Sequence, residues 1–583
     1  MTTLLERPEG VAPAQPPAGT PPGPPAQKPR SWRSRLLSEG ALPTWLFLIG
    51  YVILGGVLDF HYRIWAQDAV ARQANGFSVL FSRDPHLGAI GFVWNPLPSV
   101  TTIPFLLFRG VFPGLVTNNF AGSLASAVCM AGAVWQFRAT LQEWGVSRPA
   151  RLVMTLCFAA NPMILYYAAN GMSEALYLFT LLGTTRYLIR WLRTGSLGSL
   201  VYAATWLAFG YLARDETVGS AVLAAGVVLC VGWSRARGRG WGRVMTALSD
   251  CAIFLLPVAT AFVGWAVISW VVVGQPFQQF SSKYGNASLV ASGASEVGVR
   301  NVTLTQRLLF EAKALVAFSP FLAVLAVVAL VVAARFRDTR FLAPVTVLGG
   351  ALAFSMVSYA GGQTFGYFRY YIAALPLGIL LVASLIGAME DRQAPAGDGS
   401  RWPIMVGSAA VAVLLVAPSL VSTGAGMFNP AVGGVEAAEL GTVFQAHPSA
   451  ADEVYAHRYG TVRAFAATID RLHLPDGSIV VDNAQPCLSN FIMNVKNPKV
   501  FVIPNDRDYQ RVLGDPFVFH ARYVLDPNPR QIPSASDTVA QLYPGIFDTG
   551  GGFTALAHNF PAGGGCPQYH LLQVTGIPPS AVG

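Results

Sequence analysis

Charge is what this sequence has least of. Asp, Glu, Lys and Arg make up 12% of its 583 residues, about half the roughly 25% usual in soluble domains. Hydrophobic residues make up 53%. A chain so poor in charge cannot clothe a water-facing surface, so an ordinary soluble enzyme is excluded. No Walker phosphate loop is present, which removes sequence support for a nucleotide-driven pump. His61 and His86 are not paired with another His or Cys at metal-ligand spacing. No apolar h-region follows Met1, so a cleaved signal peptide is not expected and the first span reads as an uncleaved anchor. The glycine-rich stretch Gly424–Gly434 (GAGMFNPAVGG) lacks the G-x-G-x-x-G order of a dinucleotide site and reads as a linker.

Long apolar runs are abundant instead. They recur from Leu42 to about Val421, each long enough to cross a hydrocarbon core of ~30 Å. Spans are expected at about 42–60, 119–137, 152–168, 174–191, 197–213, 217–233, 250–273, 312–334, 341–359, 371–388 and 403–421, about eleven in all. Residues 96–115, rich in Pro and Phe, read either as a short span or as a helix lying in the interface. The domain plan is a Pro-rich tail over 1–40, a membrane region over 41–421 with a large first loop at 59–118, and a soluble segment over 422–583. The tail cannot bury enough apolar surface to fold and reads as disordered.

The bases set the orientation. Lys28, Arg30, Arg33 and Arg35 precede the first span. Arg138, Arg148 and Arg151, then Arg186, Arg190 and Arg193, then Arg235, Arg237, Arg239 and Arg243, then Arg335, Arg337 and Arg340 occupy alternate connections. By the positive-inside rule the N-terminus is cytoplasmic and the C-terminal segment lies outside the plasma membrane.

The outer connections then hold a different chemistry. The first carries Asp59, His61, Arg63, Asp68, Arg72, Arg83, Asp84 and His86; later ones carry Glu174, then Arg214 with Asp215 and Glu216, then Lys283, then Arg369. Interfacial Arg and Tyr are ordinary membrane anchors, and any one of these Arg residues reads equally well that way. Acids do little for topology, so Glu174, Asp215 and Glu216 point more firmly to function. Asp84 precedes a proline and also reads as a turn cap. Asn286 and Asn301 match a glycosylation acceptor only by a short pattern. A carboxylate can take the proton of an acceptor hydroxyl. Arg and Lys can hold a phosphate leaving group. Beside an apolar bundle able to hold a lipid tail, these parts suit group transfer from a lipid-linked phosphate.

The stretch DAVARQANGFSVLFSRDPHLGAIGFVWNPLP after the first span, NPMILYYAANGMSEALYLF, and FRYYIAALP together resemble the GT-C superfamily of membrane glycosyltransferases, of the mannosyl- or arabinosyltransferase type, over about residues 40–420. The resemblance implies a polyprenyl-phosphate sugar donor. It implies Asp68 as catalytic base, with Asp59 the runner-up, and Arg369 on the donor phosphate with help from Lys283 or Arg214. Many members carry two adjacent acids at the first-loop site; here Ala69 follows Asp68. The second acid would come from Asp84, Glu174 or Asp215, with Glu216 a further supporting acid. This departure leaves a divalent cation open as cofactor.

From about Ser422 the composition turns soluble. Ala451–Leu472 reads as an amphipathic helix. Ser478–Asp482, Lys499–Pro504, Ala521–Asp526 and His570–Val574 read as strands, which gives a small α/β domain. Cys487 and Cys566 are the two cysteines of this segment and, outside the cytoplasm, are expected to pair.

The expected protein is thus a polytopic α-helical membrane protein with a GT-C-like core and an extracytoplasmic α/β domain. Its expected activity is inverting transfer of a sugar to an acceptor hydroxyl on a cell-envelope glycan, glycolipid or protein. Nucleic acid is not an expected partner. The alternatives are a transporter or flippase of lipid-linked material, whose polar groups would gather near the midplane, and a non-catalytic scaffold displaying the outer domain. The sequence names neither sugar, acceptor nor lipid length.

Overall fold

The structure is a computed structural model. It describes residues 41–236, 240–282, 302–393, 402–444, 450–532 and 537–578, with isolated positions between 285 and 290. The Pro-rich tail, Lys283, Asn286 and Asn301 lie outside the described residues. Thr44–Gly583 forms one compact unit.

Among the described residues, seven helices are long and apolar enough to cross a membrane: Leu42–Tyr62, Phe120–Glu143, Thr217–Arg235, Trp241–Val273, Thr339–Ala360, Phe368–Glu390 and Trp402–Phe428. Two bent pairs bring the number to as many as nine. The protein is therefore a multi-pass integral membrane protein. The remaining two expected spans are also helices, Glu174–Thr194 and Leu197–Ala213. The first has Arg186, Arg190 and Arg193 toward one end, and the second is 17 residues long. Large apolar side chains face outward along these helices, with Val271 75% and Leu414 71% exposed, the reverse of a soluble fold.

Two expected straight spans are broken. Arg148–Ala159 and Pro162–Ala169 meet at 57°, and Leu304–Phe318 and Leu322–Phe336 at 71°. Proline causes the first break. Pro162 has no N–H to continue the ladder, and Asn161 caps the new helix by accepting from the Met163 N–H at 3.0 Å. The second break falls at Ser319–Pro320–Phe321. Residues 96–115 yield a ten-residue helix, Leu97–Leu106, followed by turns.

The stretch 424–434, read above as a linker, is helical. It belongs to Pro418–Phe428 and to Pro430–Phe444, which kinks at Gly434 (φ 35°, ψ −95°). The soluble domain follows, entered by the helix Ala450–Arg471. Its strands are β1 (Ile479–Val481), β2 (Phe501–Val502), β3 (Tyr523–Pro527), β4 (Thr554–Phe560) and β5 (Tyr569–Val574), in the order β2-β1-β3-β5-β4. The first three pair in parallel and the last two add antiparallel. Phe465, Phe491 and Tyr569 fill one side of the sheet; Tyr509, Val512 and Tyr543 fill the other. Cys487 and Cys566 are joined by a disulfide. Strand β4 had no counterpart in the sequence reading. It is mostly exposed and bulged between Leu556 and His558, so it lacks the alternation that marks a half-buried strand.

The first loop is well structured and carries the soluble domain. Just past its main helix, Gln67–Phe81, Arg83 binds Asp506 at 3.2 Å and also pairs with Asp508. Asp84 binds Arg507 at 2.5 Å. Asn505 Nδ2 donates to the Ala89 carbonyl at 2.7 Å, and Trp65 packs edge-on against Tyr459.

Candidate active site

The other end of the Gln67–Phe81 helix builds the candidate site. Asp68 lies in its first turn, where the helix dipole favours a negative charge. Its Oδ2 accepts from Arg369 Nη2 at 2.8 Å, a contact spanning 301 residues of sequence. Arg369 stands on the 3-10 turn Phe368–Tyr371 that opens a late span. Its Nε lies 3.4 Å from Glu174 Oε1. Glu174 begins the helix Glu174–Thr194, again at a dipole-favoured position. The same Oε1 accepts from Arg214 Nη1 at 2.7 Å. Arg214 also holds Glu216, with Nη2 2.6 Å from Oε1. A chain of alternating charge thus runs Asp68–Arg369–Glu174–Arg214–Glu216, drawn from four separate parts of the sequence.

Exposure falls from Asp68 to Glu174 and rises again at Arg214 and Glu216. The Asp68 side chain is 39% exposed, Arg369 8% and Glu174 1%. A solvent-borne group therefore reaches Asp68 first, and the guanidiniums lie behind it. Tyr367 and Tyr370 flank the cations: Arg369 stands 4.3 Å from the Tyr367 ring centre and Arg214 5.0 Å from that of Tyr370. Arg72, one turn beyond Asp68, packs 5.1 Å from the Trp94 ring centre and donates to the Met172 sulfur at 3.7 Å. Burial pushes its guanidinium below the ordinary arginine range, while Asp68 and Glu174 act the other way. Burial likewise opposes the Glu216 charge, but Arg214 outweighs it and holds Glu216 below the usual carboxylate range.

The structure also explains the missing second acid. Ala69 is 1% exposed, and the turn at Gly171 packs against it. Gly171 has φ +77°, and a Cβ there would stand 3.2 Å from the Ala69 Cβ. No room remains for a carboxylate at position 69. The acid next to Asp68 through Arg369 is Glu174, whose Oε2 is buried without a hydrogen-bond partner.

The other sequence candidates sit elsewhere. Asp59 is buried in the last turn of the first span helix, where its backbone carbonyl accepts from Asn118. Asp84 faces the soluble domain, and the hydrogen bonds from Arg507 hold its carboxyl well below the usual range. Asp215 turns away from Arg214 to accept from Asn95 Nδ2 at 2.9 Å, and burial pushes it up to about 6. Among the described residues no three His, Cys, Asp or Glu side chains are grouped to hold a metal ion.

Two acids of the site escaped the sequence reading. Glu436 accepts from Tyr167 Oη at 2.6 Å, and Glu439 accepts from Tyr166 Oη. Both come from the kinked helix Pro430–Phe444 and lie near enough to Arg369 to feel its charge. The available signal was a pair of acids one turn apart, VEAAEL, just past the last apolar run.

No family model matches the chain, and no curated protein does. Solved structures do. ArnT from Cupriavidus metallidurans bound to undecaprenyl phosphate is 13% identical with a TM-score of 0.51, covering 90% of this chain and 97% of its own. The same protein in the apo state gives 14% and 0.50, covering 91% and 98%. The fold is GT-C-like, as in these two structures. The archaeal oligosaccharyltransferase from Archaeoglobus fulgidus is more distant, with 10% identity and a TM-score of 0.41, covering 87% of this chain and 72% of its own. Within the GT-C fold, the charge chain lies where the first loop, the turn before Glu174 and the late Arg369 turn converge.

Proposed function

We propose that this protein transfers a sugar from a polyprenyl-phosphate donor to an acceptor hydroxyl on the outer face of the plasma membrane, with its N-terminus cytoplasmic and its soluble domain outside. The observation that carries this reading is the 2.8 Å contact between the half-exposed Asp68 and the buried Arg369. A base that solvent can reach, backed by a guanidinium that it cannot, matches the demands of displacement at a sugar carbon.

Asp68 takes the acceptor proton as that oxygen attacks the anomeric carbon. The bond to the phosphate oxygen breaks, and the lipid phosphate leaves with the electron pair. Arg369 and Arg214 stabilise the charge that develops there, in a site largely closed to water. Single displacement inverts the anomeric centre. When phosphate engages Arg369, the Asp68 carboxylate is released from its contact with that guanidinium. Glu174 stays between the two guanidiniums and keeps them in register. Lys283, outside the described residues, remains a further candidate for the phosphate.

The test is release of polyprenyl phosphate from a panel of radiolabelled polyprenyl-phosphate sugars by the purified full chain in nanodiscs. Release by the wild type that is lost in Asp68→Asn supports the reading. A transporter would move labelled lipid across the bilayer without cleaving it, which separates the alternatives in one preparation.

A further inference from the structure

The helix Pro430–Phe444 leaves the last span and runs toward the soluble domain, yet it packs against the Arg369 turn. It brings two carboxyls, Glu436 and Glu439, that are 1% and 4% exposed. They are three residues apart, so they share a helix face and repel when both are charged. Arg369 is bonded to Asp68 and Glu174, and Arg458, which acts on Glu439, donates to the Gly564 carbonyl.

The elements packed against this helix carry the following titratable groups. Tyr167 and Tyr166 donate from Pro162–Ala169. Arg369, Tyr370 and Tyr371 stand on the 3-10 turn, and Tyr371 in turn binds Glu311 of the helix Leu304–Phe318, which also carries Arg307 and Lys313. Arg458 comes from Ala450–Arg471, and Asp68 acts on Glu439 from the first loop. The helix Pro418–Phe428 offers no titratable group. The carboxyls of Asp68, Glu174, Glu436 and Glu439 thus all stand close enough to Arg369 to feel its charge. A lipid phosphate at Arg369 adds more negative charge beside them.

We infer that Glu436, with Glu439 beside it, is a positioning residue that takes up a proton when a lipid phosphate binds Arg369, so that donor-side binding is coupled to protonation. The inference rests on the reading of Arg369 as a phosphate site. The step is simple: an O–H bond forms on the Glu436 carboxylate, the proton comes from solvent, and no other bond changes. A neutral Glu436 keeps its hydrogen bond with Tyr167 and leaves Arg369 to the phosphate.

The free site is poised for this exchange. Burial pushes Glu436 up to about 7, with Tyr167 and Arg369 opposing the shift. A bound phosphate raises it further by like-charge repulsion. The sign follows. Below about pH 7 the group is already protonated and adds no pH dependence to binding. Above that, affinity falls, by at most about tenfold per pH unit, until the pKa of the bound state is passed.

The experiment measures undecaprenyl phosphate binding to the full chain in nanodiscs, from about pH 6 to about pH 9, in wild type, Glu436→Gln and Tyr167→Phe. Ionisation of the phosphate monoester is common to all three proteins, so differences between them report the protein. Wild type should weaken above neutrality by about tenfold more than Glu436→Gln, and should take up fewer protons when that side chain is Gln. Tyr167→Phe removes a hydrogen bond to the charged form, so its fall in affinity should move to higher pH. Superimposable profiles in wild type and Glu436→Gln overturn the inference. If Glu436→Gln does not fold, an unshifted Tyr167→Phe profile overturns it equally. No binding by wild type at any pH defeats the phosphate-site reading instead, which keeps the two failures apart.

Discussion

The two ends of the Gln67–Phe81 helix carry the same kinds of side chain and use them differently. At its C-terminal end Arg83 bridges Asp506 and Asp508 of the soluble domain, and Asp84 meets Arg507. At its N-terminal end Asp68 shares Arg369 with Glu174, Glu174 shares itself between two guanidiniums, and its second oxygen is buried without a hydrogen bond. The first set joins the loop to the soluble domain. The second joins segments of the membrane region behind a half-exposed carboxylate, where an arriving charged group can rearrange it. Residue type alone does not separate the two ends; what the charges join and what can reach them do.

The sharpest way to break this contrast is at Asp68. Asp68→Asn should lower transfer by about 10²–10⁴-fold with little change in thermal unfolding, measured by product release and by melting of the same sample. A variant that melts far below wild type would place Asp68 among the structural pairs. Next is Arg369→Lys. It keeps the charge but loses the fork that reaches Asp68 and Glu174 together; steady-state rates should fall by about 10–10²-fold, up to the ~10³ seen when a whole oxyanion donor is removed.

At the other end the effects should be smaller and of another kind. Arg83→Ala leaves Asp506 buried beside Asp508 and should destabilise the docked domain by about 1–3 kcal/mol, read by denaturant melts, while the transfer rate changes less than at Asp68. Asp84→Asn should do least, because Arg507 is solvent-exposed and such pairs are screened. Its pH dependence has a definite sign. Arg507 depresses the Asp84 pKa, so the wild-type pair contributes above the ordinary carboxylate range and is lost as pH falls. The two proteins should differ slightly at neutral pH and low salt, and converge in acid; a difference that grows in acid contradicts the assignment.

Much of the fold was legible because hydropathy speaks directly to span length. The spans from Leu42 onward were readable for that reason, and the short apolar runs Ser478–Asp482 and Ala521–Asp526 marked strands. The breaks were harder. Pro162 and Pro320 stand inside apolar runs that look continuous in a window average, and the bend shows only when the backbone ladder is followed residue by residue. Asp68, Glu174, Arg214 and Arg369 were readable as charges at span ends, where they have no topological reason to be acidic or mixed in sign. Their pairing was not readable, since it joins residues up to 301 apart. Glu436 and Glu439 were missed because the glycines around them look like a linker. Packing against the Arg369 turn overrides that composition, and Gly433, whose Cβ would stand 2.1 Å from the Met427 carbonyl, is glycine so that the two helices can turn tightly there.

The most direct test of the central claim compares three proteins in one assay: wild type, Asp68→Asn and Asp84→Asn, each purified as the full chain in nanodiscs with the radiolabelled polyprenyl-phosphate sugars. The account predicts release of polyprenyl phosphate by wild type and by Asp84→Asn at similar rates, and none above background by a folded Asp68→Asn. A folded Asp68→Asn that releases product at the wild-type rate would contradict it.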